Sequence, residues 1–281
     1  MGSLDIPPPH APEWVIPLHT ALMSIAFTFW SATYVLMTRR SLATRSYGMP
    51  LLALATNVSW EIVTLFYVCE MPVEKLGLFM WLVLDLPLVW TTIKFGPREW
   101  EDSNRWMSRN IGYVLAVLTA LGCVCHYAFS SWWLAEPGRG YGYGINKDGK
   151  FWRGREGFDT SEMAFWSSGV SQLVLSSSCL FMLQKRRHSG GTSYAIWFCR
   201  SLGTLVGPIF GYLPLWFYWP EAHGYVVSWL AIVIWGTAIA CDLAYPFVLH
   251  RVRQTELLLP DGRVTGGPSP AKEPARGRKN D

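Results

Sequence analysis

Long apolar stretches recur along this 281-residue chain, and each is about as long as the roughly 20 residues that a helix needs to cross a bilayer. Because the hydrocarbon core offers no water to the backbone, a crossing segment has to satisfy its own hydrogen bonds, as an α-helix does. The sequence therefore predicts an all-α membrane protein, a bundle of seven transmembrane helices. The predicted spans are Val15–Met37, Met49–Val68, Leu76–Ile93, Ile111–Trp133, Met163–Leu183, Tyr194–Trp216 and Tyr225–Leu249.

The amino-acid composition agrees with this fold class. Hydrophobic residues make up 51% of the chain and aromatic residues 15%, whereas charged residues make up only 16%, against about 25% in an average globular domain. The net charge of +4 is modest and lies mostly in loops and tail, so it gives no reason to expect a nucleic-acid partner. We expect the lipid bilayer to surround most of the protein.

Three regions follow from the distribution of residue types. A Pro-rich segment covers residues 1–14, the helical bundle covers residues 15–250, and a basic tail rich in Pro and Gly covers residues 251–281. The composition of the tail predicts disorder from about Glu256 onward. The long loop at residues 136–160 is open to two interpretations, a polar lid over the mouth of the bundle or an ordinary connection.

Basic residues set the expected orientation. Residues 1–14 contain neither Lys nor Arg, whereas basic residues follow the first, third, fifth and seventh predicted spans. Because cytosolic loops carry the excess of Lys and Arg, this pattern predicts a lumenal N-terminus and a cytosolic C-terminus. The basic loop at residues 136–160 disagrees with the pattern. We expect an integral protein of the endoplasmic reticulum membrane in this orientation.

Three carboxyl side chains lie inside predicted spans. Glu61 is in the middle of the second span, Asp85 is in the third and Asp242 is in the seventh. An ionised carboxylate at such a depth costs about 2.5–3.5 kcal/mol on insertion scales, so intramembrane acids usually have a function or a polar partner. Burial disfavours the ionised form, and a protonated carboxyl can serve as a general acid.

Each acid has a structural as well as a functional interpretation. Asn57 precedes Glu61 by one helical turn and can support it, although Glu61 can also simply join two helices through a hydrogen bond. At 1.5 Å per residue, Glu61 and Asp242 differ in depth by roughly 8 Å, so both can line one cavity. Arg200 lies at a similar depth to Asp242 and can form an ion pair with it. Asp85 lies beside a proline and can instead accompany a helix kink.

Tryptophan is abundant, and several indoles lie deep within predicted spans, among them Trp60 and Trp81. The negative π faces of such rings suit a cavity that holds a carbocation. Other indoles are expected at the membrane interface, against lipid or in the core.

The motifs of several protein classes are missing from the sequence. The chain has no DDxxD or DxDD run and no pair of Asp-rich motifs of the kind found in membrane prenyltransferases. No second His lies at metal-ligand spacing from His126, and the seventh span has no Lys for a retinal Schiff base. We therefore do not expect a metal site.

Several sequence elements together resemble one family of membrane enzymes. Tyr47-Gly48-Met49, followed by Asn57-Val-Ser-Trp60-Glu61, is similar to the second helix of the small integral-membrane terpene cyclases of fungal meroterpenoid and indole-diterpene pathways. The third span, the Gly203-Thr204 pair and the closing Asp242-Leu-Ala-Tyr245 are similar as well, and the resemblance covers residues 15–250. The pyripyropene- and paxilline-pathway cyclases typify this family.

The resemblance implies that Glu61 and Asp242 are catalytic acids in a proton-initiated cyclisation. A terminal epoxide, or less often an alkene, on a prenyl chain would be protonated, and the resulting cation would close rings in sequence. The implied partners are a lipophilic prenylated, epoxidised small molecule and, upstream in the pathway, a prenyltransferase and an epoxidase; no cofactor or metal is implied. The residues predicted to bind the substrate are Asn57, Trp60, Asp85, Trp81, Arg200 and Tyr245.

Other functions are also compatible with the sequence. A proton-coupled transporter of a lipophilic metabolite would use Glu61 and Asp242 as a proton relay. A receptor or a structural membrane protein would use the same acids to join helices. A prenyltransferase would require a divalent metal.

Overall fold

Long helices packed side by side dominate the computed structural model, which describes residues 6–141 and 151–266. The helices are α1 (Val15–Thr44), α2 (Leu51–Val68), α3 (Pro72–Trp100), α4 (Arg105–Trp133), α5 (Thr160–Arg186), α6 (Tyr194–Tyr218) and α7 (Trp229–Thr255). The end of α2 and the middle of α6 are wound as π-helix, over Thr64–Val68 and Leu205–Gly211. In α6 the wider turn contains Pro208, which cannot donate a backbone hydrogen bond.

Short elements connect or follow the long helices. A helical turn at Pro220–His223 and a 3₁₀ turn at Gly224–Val227 join α6 to α7. Two short antiparallel hairpins are also present, Phe151–Trp152 with Arg155–Glu156 before α5, and Leu257–Leu258 with Val264–Thr265 after α7.

By length and apolar composition, α1, α2, α3, α4, α6 and α7 can each cross a membrane, which makes 6 such helices in the described part of the chain. This bears out the predicted all-α membrane fold. With 27 residues α5 is also long enough, at about 40 Å, but it is rich in serine and buries Glu162 and Gln172. The predicted span Met163–Leu183 therefore lies on a helix that is part of the bundle but less apolar than the others.

Polar side chains define where several helices begin. Asn104 accepts a hydrogen bond from a backbone amide in the first turn of α4, and Ser193 and Ser228 do the same for α6 and α7. The Asp159 carboxylate accepts hydrogen bonds from two backbone amides in the first turn of α5. Such caps satisfy amides that no helical carbonyl reaches.

Helices extend beyond the apolar stretches that predicted them. α1 continues to Thr44 and ends where Arg45 takes up a left-handed conformation, with φ of 50°. α3 begins at Pro72, because a proline in the first turn loses no helical hydrogen bond. Composition thus locates the apolar part of a helix, whereas the local backbone decides where the helix ends.

The C-terminal tail is ordered further than its composition predicts. α7 extends to Thr255, and the hairpin that follows reaches Thr265. Glu256 fixes this region, because its carboxylate accepts hydrogen bonds from the backbone amide and the hydroxyl of Ser189 at 2.7 and 3.0 Å. The structure therefore differs from the predicted disorder up to residue 266, and residues 267–281 lie outside the described part.

The helices close into a ring. Neighbours in contact follow the order α1, α3, α2, α5, α7, α6 and back to α1, while α4 packs on the outside against α2 and α3. The main apolar core joins side chains from around this ring, among them Tyr34, Leu54, Leu88 and Leu249. The ring places the side chains of α1, α2 and α3 beside one another.

Small residues let α1 and α6 approach closely. A methyl group at Gly207 would lie 2.6 Å from the Cβ of Ala26, and one at Gly203 would lie 2.7 Å from the indole of Trp30. Such contacts are shorter than van der Waals packing allows, so only glycine fits at these positions. Gly203 and Gly207 therefore have a packing role of the kind common in membrane helices.

The two ends of the bundle are tied by different contacts. We call the end at which α1 begins the N-face and the end at which α1 finishes the C-face. On the C-face the Arg186 guanidinium lies 2.7 Å from Glu99 Oε2 and donates to the Tyr47 carbonyl at 2.8 Å. Ser46 donates a further hydrogen bond to the Glu99 carboxylate. These contacts connect the ends of α1, α3 and α5.

The described part of the 136–160 loop lies on the N-face. The Trp152 indole N–H donates to the Val68 carbonyl at 3.2 Å, and the Arg153 guanidinium donates to the Tyr67 carbonyl at 3.2 Å. The loop therefore covers the end of α2, in the place that a lid would occupy. Residues 142–150 of the same loop lie outside the described residues.

Candidate functional site

A polar network in the middle of the bundle is centred on Asn57 and Glu61. The two residues are one turn apart on α2, and Asn57 Nδ2 donates to Glu61 Oε1 at 3.0 Å. The same nitrogen is 2.8 Å from Asp85 Oδ2 on α3 and 2.9 Å from the Tyr34 hydroxyl on α1. Tyr34 in turn donates to Glu61 Oε1 at 3.3 Å. The network therefore connects three neighbouring helices of the ring.

The two carboxyls of this network are buried and only half satisfied. Glu61 and Asp85 are both 0% exposed, and Tyr34 is 2% exposed. Glu61 Oε2 and Asp85 Oδ1 receive no hydrogen bond from an amide, hydroxyl or cationic group of the described residues. Asn57 itself is only partly buried. Each carboxyl thus has one anchored oxygen and one oxygen that is left for another partner.

A second buried polar cluster surrounds Asp242. The Arg200 guanidinium donates to Asp242 Oδ1 at 2.6 Å, and their side chains are 2% and 7% exposed. Arg200 also lies 4.9 Å from the centre of the Tyr245 ring, whose hydroxyl is 2.9 Å from that of Thr192. The Trp197 indole donates to the Asp242 carbonyl at 2.7 Å. The ion pair that the sequence suggested as the structural interpretation of Asp242 is present.

The two clusters remain distinct in the described structure. No hydrogen bond or ion pair between described residues joins Glu61 to Asp242, because α2 and α7 are separated in the ring by α5. Counted from the C-face ends of their helices, Glu61 lies about 15 Å deep and Arg200 about 9 Å deep. The predicted site residues therefore fall into two groups, Asn57 and Asp85 with Glu61, and Arg200 and Tyr245 with Asp242.

The two predicted tryptophans pack close to the Glu61 network. The Trp60 indole donates to Ser167 Oγ on α5 at 3.0 Å, and the Trp81 indole donates to Ser31 Oγ on α1 at 3.1 Å. Trp81 also stacks on Phe27, with ring centres 4.9 Å apart. Both indoles pack against the same small apolar cluster of Leu65, Cys69 and Leu78.

Tyr34 is the member of the network that sequence reasoning missed. It lies on the first predicted span and bonds directly to Glu61. A tyrosine within a long apolar stretch is a weak signal, because such rings also pack in cores or lie at the membrane interface. Its role depends on which face of α1 is turned towards Glu61, and hydropathy does not reveal that.

An apolar groove of about 220 Å³ opens between α5, α6 and α7. Neither Glu61 nor Asp242 lines this groove. The residues that line it are Phe165, Pro208, Ile209, Leu213, Val226, Ala231, Ile232, Trp235 and Gly236. Within the described residues, no group of three or more His, Cys, Asp and Glu side chains is arranged to bind a metal ion.

A ring of apolar helices with carboxyls buried at mid-depth defines an integral membrane protein that keeps acid groups inside its span. The chain belongs to the Pyr4-like transmembrane terpene cyclases, a family whose pattern matches residues 3–145 and 151–255. The family resemblance seen in the sequence is thereby confirmed. No solved structure matches the chain.

Three named relatives illustrate the similarity. Terpene cyclase ascF of Acremonium egyptiacum is 37% identical over 257 residues, which is 92% of this chain and 90% of the relative. Terpene cyclase idtB of Claviceps paspali is 30% identical, over 87% of this chain and 90% of the relative. Terpene cyclase pyr4 of Aspergillus fumigatus is 28% identical, over 81% of this chain and 83% of the relative.

Proposed function

We propose that this membrane terpene cyclase starts its reaction by protonating the terminal epoxide, or less often a terminal alkene, of a prenyl chain, with Glu61 as the general acid. The observation that carries the proposal is the state of the Glu61 carboxyl. One oxygen is held by Asn57 and Tyr34, and the other is buried and unanchored. A general acid needs this arrangement, because it must be oriented and still have an oxygen that can meet the substrate.

The reaction needs a proton and an enclosed apolar site. The proton moves from Glu61 to the epoxide oxygen, the C–O bond breaks with its electron pair on oxygen, and a hydroxyl and a carbocation result. The next double bond supplies the electron pair for a C–C bond, and successive rings close. Loss of a proton, or capture by a hydroxyl or aromatic ring, ends the cascade. Water must be absent, because it would trap the cation.

Other side chains have proposed roles around this acid. The indoles of Trp60 and Trp81 would present π faces to the developing cation. Asp242, which forms an ion pair with Arg200, would be the second acidic residue of the site. Asn57, Asp85, Arg200 and Tyr245 would line the substrate site together with the indoles. A metal-independent reaction fits this set, because protonation by a carboxyl needs no Lewis acid.

We extend the proposal to the substrate and the membrane. The relatives named as terpene cyclases favour cyclisation over transport, and we assign the chain to a fungal meroterpenoid or indole-diterpene pathway with an aromatic or indole headgroup on the prenyl chain. An upstream prenyltransferase and epoxidase would supply this substrate. We also propose that α5 is the seventh crossing helix, and that the protein lies in the endoplasmic reticulum with a lumenal N-terminus and a cytosolic C-terminus.

A product assay tests the central proposal. Membranes that contain the full chain are incubated, in the presence of EDTA, with epoxidised farnesyl- or geranylgeranyl-bearing aromatics, and the products are analysed by mass spectrometry and NMR. We expect a cyclic isomer of unchanged mass. We expect Glu61→Gln to abolish it while the protein accumulates normally, since glutamine keeps the shape but has no acidic proton.

The matched control is Glu221→Gln, the same substitution at an exposed carboxyl, and it should leave turnover unchanged. Turnover at the wild-type rate in Glu61→Gln would show that another group delivers the proton. Turnover that EDTA abolishes would show that the reaction depends on a metal.

A further inference from the structure

We infer that Asp85 and Glu61 act as one unit, a carboxyl pair that shares a single proton, with Asp85 as the positioning residue of the proton that Glu61 delivers. This inference deepens the proposed function and rests on the role of Glu61 as the acid. Nothing in the family comparison assigns Asp85 to this task.

The geometry brings the two carboxyls to one point. Asn57 Nδ2 is within hydrogen-bonding distance of both, at 3.0 Å from Glu61 Oε1 and 2.8 Å from Asp85 Oδ2. Two acceptors on one nitrogen are necessarily close neighbours. Ionised carboxylates only accept hydrogen bonds, so the two carboxyls can bond to each other only when one of them carries a proton.

The surroundings favour one proton for the pair. Two adjacent ionised carboxylates repel each other strongly in a medium of low dielectric constant. Among the described residues, neither Lys nor Arg forms an ion pair with Glu61 or Asp85, whereas Asp242 and Glu99 each have an arginine partner. The neutral donors Asn57 and Tyr34 can stabilise one negative charge in the pair. This is the arrangement in which two carboxyls share a proton, as in aspartic proteases.

The sharing gives Asp85 a task in the cyclisation. In the resting pair the proton is held between the carboxyls and is available to Glu61. When Glu61 gives the proton to the epoxide, both carboxyls become anionic beside a newly formed cation, which stabilises that cation electrostatically. The proton lost at the end of the cascade restores the resting pair, so the sum of protons balances over one turnover.

Infrared spectroscopy of the purified full chain without substrate tests the pair directly. A protonated carboxyl has a carbonyl-stretching band that shifts when H₂O is exchanged for D₂O, and an ionised one lacks it. We expect one such band to disappear in Glu61→Gln and to shift or disappear in Asp85→Asn. Asp85→Glu, which keeps a carboxyl, should retain it.

Two controls separate the pair from general effects of mutation. Thr91→Val alters a buried hydroxyl on the same helix, one that donates to the Leu88 carbonyl. Asp242→Asn removes the arginine-paired carboxyl, and both variants should leave the band unchanged. A band that Asp85→Asn leaves in place at its original frequency would overturn the inference, as would a band that depends on Asp242.

Turnover provides the second readout. We expect kcat in Asp85→Asn to fall by about 10²-fold, within the range of general-acid contributions, with KM little changed and partial recovery in Asp85→Glu. Since the infrared band needs no substrate, the inference and the proposed function can fail separately. If the infrared band shows the pair in the wild type but Glu61→Gln turns over normally, only the assignment of Glu61 as the acid is refuted. If Asp85→Asn fails to accumulate, Asp85→Glu decides the matter: the longer side chain should shift the frequency of the retained band, and an unshifted band would overturn the inference.

Discussion

Asn57 shows how much one side chain can organise inside a membrane protein. Its amide is the only group with contacts to Tyr34, Glu61 and Asp85 among the hydrogen bonds between described residues. An NH₂ group has two hydrogens, so it satisfies two of these three acceptors at a time. The acceptor that is left over needs another hydrogen, either from the Tyr34 hydroxyl or from a protonated carboxyl. The hydrogen bonds of the network therefore depend on the protonation of its acids.

Trp60 allows a test of the cavity wall at the level of a single ring. We expect Trp60→Ala to change the distribution of cyclic products more than the total rate, because the cation loses a π face but the acid stays in place. The measurement is the product profile by gas chromatography and NMR. Trp60→Phe is the matched control, since it removes the hydrogen bond to Ser167 but keeps an aromatic face. An unchanged profile in Trp60→Ala would remove this residue from the cavity wall.

Residue by residue, the sequence predicts the site unevenly. Glu61 and Asn57 could be paired from their spacing alone, because residues four apart share a helix face. The Arg200–Asp242 ion pair followed from charge and depth. The link from Glu61 to Tyr34 and Asp85 could not be derived, since it depends on how α1 and α3 are rotated about their axes. Hydropathy gives the depth of a residue in the membrane but not its rotation.

Among the elements, the contact between α1 and α6 is sensitive to side-chain volume. Alanine is favoured over glycine by about 1 kcal/mol in a helix, so Gly→Ala should stabilise a helix wherever space exists. At Gly207 a methyl group would lie 2.6 Å from Ala26 Cβ, whereas at Gly236 no described atom beyond the adjacent residues and the helix's own nearby backbone lies within 4 Å of it. We expect Gly207→Ala to lower the melting temperature in detergent and Gly236→Ala to leave it equal or higher. Equal effects of the two substitutions would contradict this packing.

The loop between α5 and α6 has a predictable response to pH. Burial, followed by the nearby Arg186 guanidinium, lowers the pKa of the His188 imidazole from its ordinary 6.5 to about 4. Below pH 6.5 this imidazole becomes protonated in the unfolded chain, whereas in the folded chain it stays neutral down to about pH 4. The free energy of unfolding therefore falls as the pH falls through this window, and the contribution of His188 is constant above it.

Thermal unfolding in detergent at several pH values between 4 and 7.5 measures this effect. The comparison that isolates it is His188→Asn, since carboxyls elsewhere in the chain also titrate at low pH. The loss of stability on acidification should be smaller in the variant than in the wild type. An identical pH dependence in both proteins would show that His188 is protonated equally in the folded and unfolded states.

For the molecule as a whole, polar contacts connect elements at both ends of the bundle, while its sides are apolar. Arg186 and Glu99 connect helices on the C-face, and the described part of the 136–160 loop lies on the N-face. Large apolar side chains such as Leu86 and Phe247 are instead 59% and 71% exposed around the bundle, where lipid would cover them. We therefore expect a lipophilic substrate to approach the site from the bilayer and not from water.

This route predicts a dependence on lipid. At a fixed total amount of enzyme and substrate, added empty lipid should lower the initial rate in proportion to the dilution of substrate within the membrane. The measurement is the initial rate in proteoliposomes across a series of lipid-to-protein ratios. A rate that follows the bulk substrate concentration at every lipid ratio would indicate entry from the aqueous phase.

The apolar sides of the bundle also bear on what happens to the product. If the substrate enters between helices, we expect the product to leave the same way, into the membrane that supplied the substrate. Intermediates of such a pathway would spread in two dimensions, and enzymes in one bilayer would exchange them without a carrier protein. The organelle membrane would then be the storage compartment of the pathway, and its area, more than the volume of the cell, would set how concentrated the intermediates become.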